Sequence, residues 1–150
     1  MFALIIGIDK YTSTKCKELR GAVADAKAMK EYLERVLRVP KDHIRTLFDH
    51  SATRDAIIKA FKELQTDERI KNGDPIVIFY AGHGGELSAP LSWIWWAPES
   101  KIQCLLPHDY EASKINPIPD RAIGALVEGI AKSKGDNIAS ATPRPVIPIC

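Results

Sequence analysis

Cysteine is scarce in this chain, with three residues at positions 16, 104 and 150. Their separations match neither metal-ligand spacing nor the disulfide framework of a small secreted domain. Free thiols in a reducing cytoplasm are the expectation, with no bound metal. An excess of one charge sign is also missing. The 21 basic and 19 acidic residues leave a net charge of +2, too little to argue for nucleic acid or an anionic membrane as partner. No run approaches the ~18 apolar residues of a membrane span. The apolar start, Phe2 to Ile8, has no basic leader and runs into Asp9 and Lys10, which argues against a secretory signal. No Gly-rich phosphate loop follows that first run, so a nucleotide-binding reading is weak and no cofactor is expected. There is no internal repeat. What remains, 45% hydrophobic and 27% charged residues over 150 positions, fits one soluble domain large enough to bury a core.

Within that domain the apolar segments alternate in period. Ala3 to Ile8 is an unbroken apolar strand candidate, followed by a polar loop from Asp9 to Arg20. From Gly21, residues Ala22, Ala26, Met29, Leu33 and Val36 recur at spacings of three and four, the stripe of an amphipathic helix. Pro40 ends it. Ile44 to Phe48 reads as a second strand, and Thr53 as the cap of a second helix with stripe Ile57, Ile58, Phe61 and Leu64. Ile102 to Leu106 is a further short strand. A third helix starts near Asp120, with Ile123, Leu126, Val127 and Ile130 on one face and Gly135 after its end. The order β-α-β-α-β-β-α predicts an α/β domain with a mostly parallel sheet.

The most informative stretch is Gly73 to Gly85, GDPIVIFYAGHGG. Gly-Asp-Pro marks a turn. Ile76 to Tyr80 then carries no polar interruption, as suits a strand covered on both faces. It breaks into Ala81-Gly82-His83-Gly84-Gly85. Functional groups of open α/β sheets gather at the carboxyl ends of strands. A histidine between glycines there has an accessible imidazole beside a backbone that substrate can approach. His83 is therefore the first candidate for chemistry.

Five blocks in order, ALIIGIDKY, LRGAVADAKAM, VIFYAGHGGE, LLPHD and IPDRAIGAL, resemble the caspase-like cysteine peptidases, in particular the metacaspases and their fungal relatives. The resemblance runs from Ala3 to about Asn137. It implies a caspase-like three-layer α/β sandwich with a six-stranded sheet. It implies a cysteine endopeptidase that cleaves after Arg or Lys, with peptide or protein substrates carrying a basic P1 residue. The histidine of the family's GHG motif falls on His83. A thiolate is the nucleophile in such chemistry, and imidazole takes its proton and later protonates the leaving amine. Gly84 takes the place of the family's oxyanion donor through its backbone N–H. Asp25 falls on an acidic residue of the primary pocket, where a carboxylate pairs with a basic side chain. A carboxylate early in a helix is also favoured by the helix dipole, so a purely structural role for Asp25 stands beside the pocket role.

The chain also departs from the family pattern. The Asp-x-Cys-His-Ser-Gly nucleophile block is absent from the sequence. A caspase-type cysteine lies ~50 residues beyond its histidine, which falls around Ser133 to Ala141, where there is none. The acidic pocket partner beside that cysteine is missing with it, and Ala81 stands where many metacaspases have serine. No acidic calcium loop matches between Gly85 and Cys104, so no calcium requirement is expected. Ile138 to Thr142 is weakly apolar and Pro143, Pro145 and Pro148 follow, so no strand is expected after Asn137. The chain divides into a caspase-like part at 1–137 and a Pro-rich divergent tail at 138–150, and its sheet is expected to be incomplete at the C-terminus. As written, the chain is expected to be inactive. The other reading is a non-catalytic interaction module, a pseudo-peptidase that binds peptides or pairs with a related caspase-like domain through an open sheet edge.

The remaining conspicuous residues have structural readings. Cys104 lies within a strand candidate and suits a small core residue. Cys150 is the last residue of the sequence, with no donor after it to bind an oxyanion. Cys16 sits in a polar loop. Trp93, Trp95 and Trp96 read as core or contact aromatics. His108 and Asp109 read as a surface turn, because adjacent strand residues face opposite ways.

Overall fold

The strand β1 (Phe2–Gly7) is buried along its whole length, as an unbroken apolar run is when both faces of its sheet are covered. The computed structural model describes residues 1–88, 101–111 and 114–141. Trp93, Trp95, Trp96 and Cys150 lie outside the described residues.

β1 pairs in parallel with β2 (Ile44–Phe48) on one side and β3 (Ile76–Ala81) on the other. Alternate residues of β1 then serve two cores, following the two-residue period of a strand. Ala3 and Ile5 pack with Ala26 and Leu33 of helix α1 (Ala22–Arg35) and with Ile44. Leu4, Ile6 and Ile8 pack with Ile57, Phe61 and Leu64 of α2 (Arg54–Thr66) and Ile130 of α3 (Asp120–Lys134). One helix on one face and two on the other give the three-layer α/β/α sandwich expected from the sequence. Thr53 caps α2 as expected, its hydroxyl accepting the Ala56 N–H at 3.2 Å, and Gly135 ends α3 with φ +88°. Val36 departs from its stripe: it sits just past α1 and is 61% exposed.

A second, antiparallel sheet contains β4 (Gly84–Ser88), β5 (Lys101–Leu105) and β6 (Ile118–Pro119) in that order. The Ile102–Leu106 strand thus exists, shifted by one residue, outside the parallel sheet. Gly84-Gly85, which read as a break, opens β4. Ladder partners rather than side-chain propensity make that strand.

The expectation of no strand after Asn137 is corrected. Ile138–Ala141 forms β7, parallel to β3, with Ile76 opposite Ile138 and Phe79 opposite Ala141. The Ile76 N–H donates to the Asn137 carbonyl at 3.0 Å, and the Asn137 side-chain amide donates to the Gly73 carbonyl at 3.0 Å. Ile138 tucks against the α2/α3 core, while Ala139, Ser140 and Ala141 stay exposed. Main-chain pairing needs no apolar side chains, and the prolines begin only at Pro143. The parallel sheet has the order β2-β1-β3-β7, four strands among the described residues against the six that the resemblance implies.

Candidate active site

The chain leaves β1 toward β2 and leaves β3 toward β7, so the loops part at the carboxyl ends of β1 and β3. Such a crevice is where open α/β sheets place their ligands. A cleft of about 500 Å³ lies there, lined by residues 19–22 and Asp25 on one side and by residues 79–82 and Ala141 on the other.

Asp9, two residues past the end of β1, sets the first wall. Its carboxylate accepts the Ala22 N–H at 2.8 Å and the Val23 N–H at 3.3 Å. It thereby caps α1, whose own N-cap residue, Gly21, has no side chain to do so. Asp49 fixes this turn from the next crossover, its Oδ1 accepting the Asp9 and Lys10 N–H groups at 2.8 and 3.0 Å. Asp49 adopts φ +42°, a conformation that Asp tolerates better than most residues. Gly7 lets α1 approach β1 closely, since a Cβ there would lie 2.6 Å from the Ala26 Cβ and 3.0 Å from the Ala22 carbonyl oxygen. The result is an exposed Asp25 carboxylate in the first turn of α1, facing the cleft.

The second wall ends in His83. Its Nε2 lies 2.6 Å from the Lys17 carbonyl oxygen. A carbonyl only accepts, so this contact calls for the proton on Nε2 and leaves Nδ1 with its lone pair. The backbone around the ring is fixed from three directions. The His83 N–H donates to the Tyr11 hydroxyl at 2.7 Å, the Leu106 N–H donates to the His83 carbonyl at 3.0 Å, and the Tyr80 hydroxyl lies 2.8 Å from that same carbonyl. Gly82 fills the space between the two tyrosines. A Cβ on it would sit 2.7 Å from the Tyr80 hydroxyl and 3.0 Å from the Tyr11 hydroxyl.

Gly84 stands opposite Leu105 in the β4–β5 ladder. The bond from Leu106 to His83 brackets this pair from outside, the pattern of a non-hydrogen-bonded antiparallel pair. The N–H of Gly84 is consequently turned away from β5 rather than spent on it.

Asp25 and Gly82 thus share the cleft, while His83 and Gly84 follow at its rim with the imidazole directed to the Asp9–Arg20 loop. Cys104 is buried on β5, its thiol donating to the Gly85 carbonyl at 3.3 Å. It is a core residue, and burial pushes its thiol up to about 11, which disfavours the nucleophilic thiolate at neutral pH. Cys16 is half-buried beside the Cys104, Leu106 and Tyr110 cluster. His108 and Asp109 do diverge. His108 Nδ1 lies 2.7 Å from the Lys10 carbonyl, and Asp109 accepts the Arg54 N–H at the start of α2 at 2.8 Å. Sequence reading missed Asp9, Asp49, Tyr11 and Asp109. Of these only Asp9 carried a local signal, a carboxylate directly after an apolar run. Among the described residues no group of three His, Cys, Asp or Glu side chains could hold a metal ion. No helix among them is long and apolar enough to cross a membrane.

A three-layer α/β sandwich with a histidine between glycines at the end of a central parallel strand has the architecture of a caspase-like peptidase domain. The family model of the caspase domain, Peptidase C14, matches residues 1–131, and the chain belongs to that family of cysteine peptidases. It is similar to Metacaspase-1 of Meyerozyma guilliermondii, 36% identical over 89 residues, covering 55% of this chain and 21% of that protein. In fold it resembles the crystal structure of protein GSU0716 from Geobacter sulfurreducens, with a TM-score of 0.70 and 20% identity over 93% of this chain and 47% of that one. The chain thus spans about a fifth of the length of the first and about half of the second.

Proposed function

We propose that the chain supplies the acid–base and substrate-pocket half of a cysteine endopeptidase site that acts after Arg or Lys. In this reading the neutral His83 accepts a thiol proton at Nδ1. The thiolate attacks the scissile carbonyl carbon, and the Gly84 N–H donates to the oxyanion that forms. The imidazolium returns the proton to the leaving amine, and water then releases the acyl group by the same route. Asp25 pairs with the basic side chain of the substrate. The observation that carries the reading is the contact of His83 Nε2 with the Lys17 carbonyl, which leaves Nδ1 as the base. No cysteine of the 150 residues stands in an Asp-x-Cys-His-Ser-Gly block, so these residues alone are proposed to bind such substrates without cleaving them. The part corresponding to the caspase-like domain is taken as 1–137, the remainder as divergent.

Binding tests the pocket. A fluorescent peptide ending in Arg should bind the wild-type chain, and Asp25→Asn should weaken it about tenfold or more, the effect of losing a charge-assisted bond. Equal affinity for the two chains would remove Asp25 from the pocket.

β7 is the end strand of the parallel sheet among the described residues, and this favours a second role. An unpaired edge can recruit a strand from a related caspase-like domain, and such a partner could contribute the missing nucleophile. Sedimentation of the chain alone and mixed with a full-length relative tests this, a mixed species being the expected result.

A further inference from the structure

Tyr11 lies in the loop after β1, outside both the histidine motif and the pocket, yet it reaches the site through two contacts. Its hydroxyl oxygen accepts the His83 N–H at 2.7 Å, and its ring centroid lies 5.1 Å from the imidazole centroid at 42°. We propose that Tyr11 is a positioning residue, whose hydroxyl holds the His83 backbone so that the imidazole keeps Nε2 on the Lys17 carbonyl and Nδ1 free. The proposal rests on the reading of His83 as the acid–base group.

The geometry explains why a hydroxyl is needed there. The His83 N–H directly follows Gly82, where the two tyrosines leave no room for a side chain. That N–H is partly buried, and a donor without a partner would turn the 82–83 peptide toward water. Turning this peptide also turns the Cα–Cβ bond that aims the ring. At 2.6 Å the contact with Lys17 leaves little slack. The carbonyl side of His83 is held separately, by the Leu106 N–H and the Tyr80 hydroxyl, so Tyr11 controls the one peptide that β5 does not. Burial pushes the Tyr11 hydroxyl up to about 12, so it stays a protonated, neutral acceptor across the neutral pH range. Lys17 belongs to the same loop as Tyr11. One segment therefore holds the histidine at both its main chain and its ring.

The test uses the full 150-residue chain with ¹⁵N-labelled histidine. Long-range ¹H–¹⁵N spectra, taken at a pH where the imidazole is neutral, report which nitrogen carries the proton. The wild type should show a single Nε2–H form for His83. Tyr11→Phe keeps the ring and removes the hydroxyl, which accepts the His83 N–H and donates a long bond to the Ile8 carbonyl at 3.4 Å. It should lose the single form in favour of a mixture, with faster exchange of the His83 amide and an unchanged circular dichroism spectrum. A merely structural role would leave the tautomer unmoved. Retention of the pure Nε2–H form in Tyr11→Phe would overturn the proposal. If the phenylalanine variant fails to fold, Tyr11→Gln compared with Tyr11→Leu asks the same question. The two side chains are close in size, and only glutamine returns an acceptor oxygen, so only it should keep the single form. The same spectrum from both would again overturn the proposal. A wild-type chain already in the Nδ1–H form would remove the acid–base reading underneath it, and the wild-type spectrum alone separates that failure from a failure of Tyr11.

Discussion

Gly7→Ala should lower stability by about 1–3 kcal/mol, the usual result of forcing a methyl group into a closed contact. For a chain of this length that corresponds to a fall in melting temperature of roughly 2–12 °C. The added Cβ would meet the Ala26 Cβ, the Ala22 carbonyl and the Val23 Cα within 2.6–3.1 Å. Two of these are backbone atoms and cannot swing aside, so the helix must move as a body. α1 carries Asp25 and takes its cap from Asp9, so its displacement should also weaken binding of an Arg-ended peptide. Thermal unfolding and the binding titration read the two effects separately. A variant with wild-type values in both would mean that α1 has slack and that Gly7 does not set the cleft.

Gly82→Ala should have an effect of similar size on stability, about 1–3 kcal/mol, and a larger one on the site. The new methyl would collide with the hydroxyl and Cζ of Tyr80 at 2.7 and 2.9 Å. Tyr80 is only 2% exposed and is enclosed by the main core, so it has nowhere to rotate. Relief must come from the backbone at 82–83, which carries His83. The single Nε2–H form of the imidazole should disappear, whereas Ala81, one residue earlier and not between the tyrosines, already has a Cβ. Wild-type stability together with an unchanged histidine tautomer would contradict the packing around the motif.

Both predictions concern contacts between segments far apart in sequence, and this marks where sequence reading stopped. β1, β2, β3 and all three helices were legible because each expresses its own period: ALIIGI and IVIFY as buried runs, α2 as a stripe with Thr53 before it, α3 between Asp120 and Gly135. The place of His83 just past β3 was legible because glycines on both sides of a histidine after an apolar run are a local signal. β4, β6 and β7 were not legible. Gly84-Gly85 and Ala139-Ser140-Ala141 have little strand propensity of their own, and Ile118-Pro119 is too short to express any; they are strands because a partner supplies the ladder. Val36 misled because a helical stripe can continue in sequence after the helix has ended. The supports of the site were hidden for the same reason as the weak strands. Asp9 caps a helix 13 residues away, Asp49 holds Asp9 across 40 residues, and Tyr11 meets His83 across 72.

The most direct test of the proposed peptidase half-site is turnover by the 150-residue chain itself. The purified protein, shown to be folded by circular dichroism, would be incubated with fluorogenic peptides ending in Arg or Lys, in parallel with His83→Ala. The expected result is no difference between the two, each at the rate of buffer. Clear hydrolysis by the wild type, abolished by His83→Ala, would contradict it and would mean that one of Cys16, Cys104 and Cys150 completes the site after all.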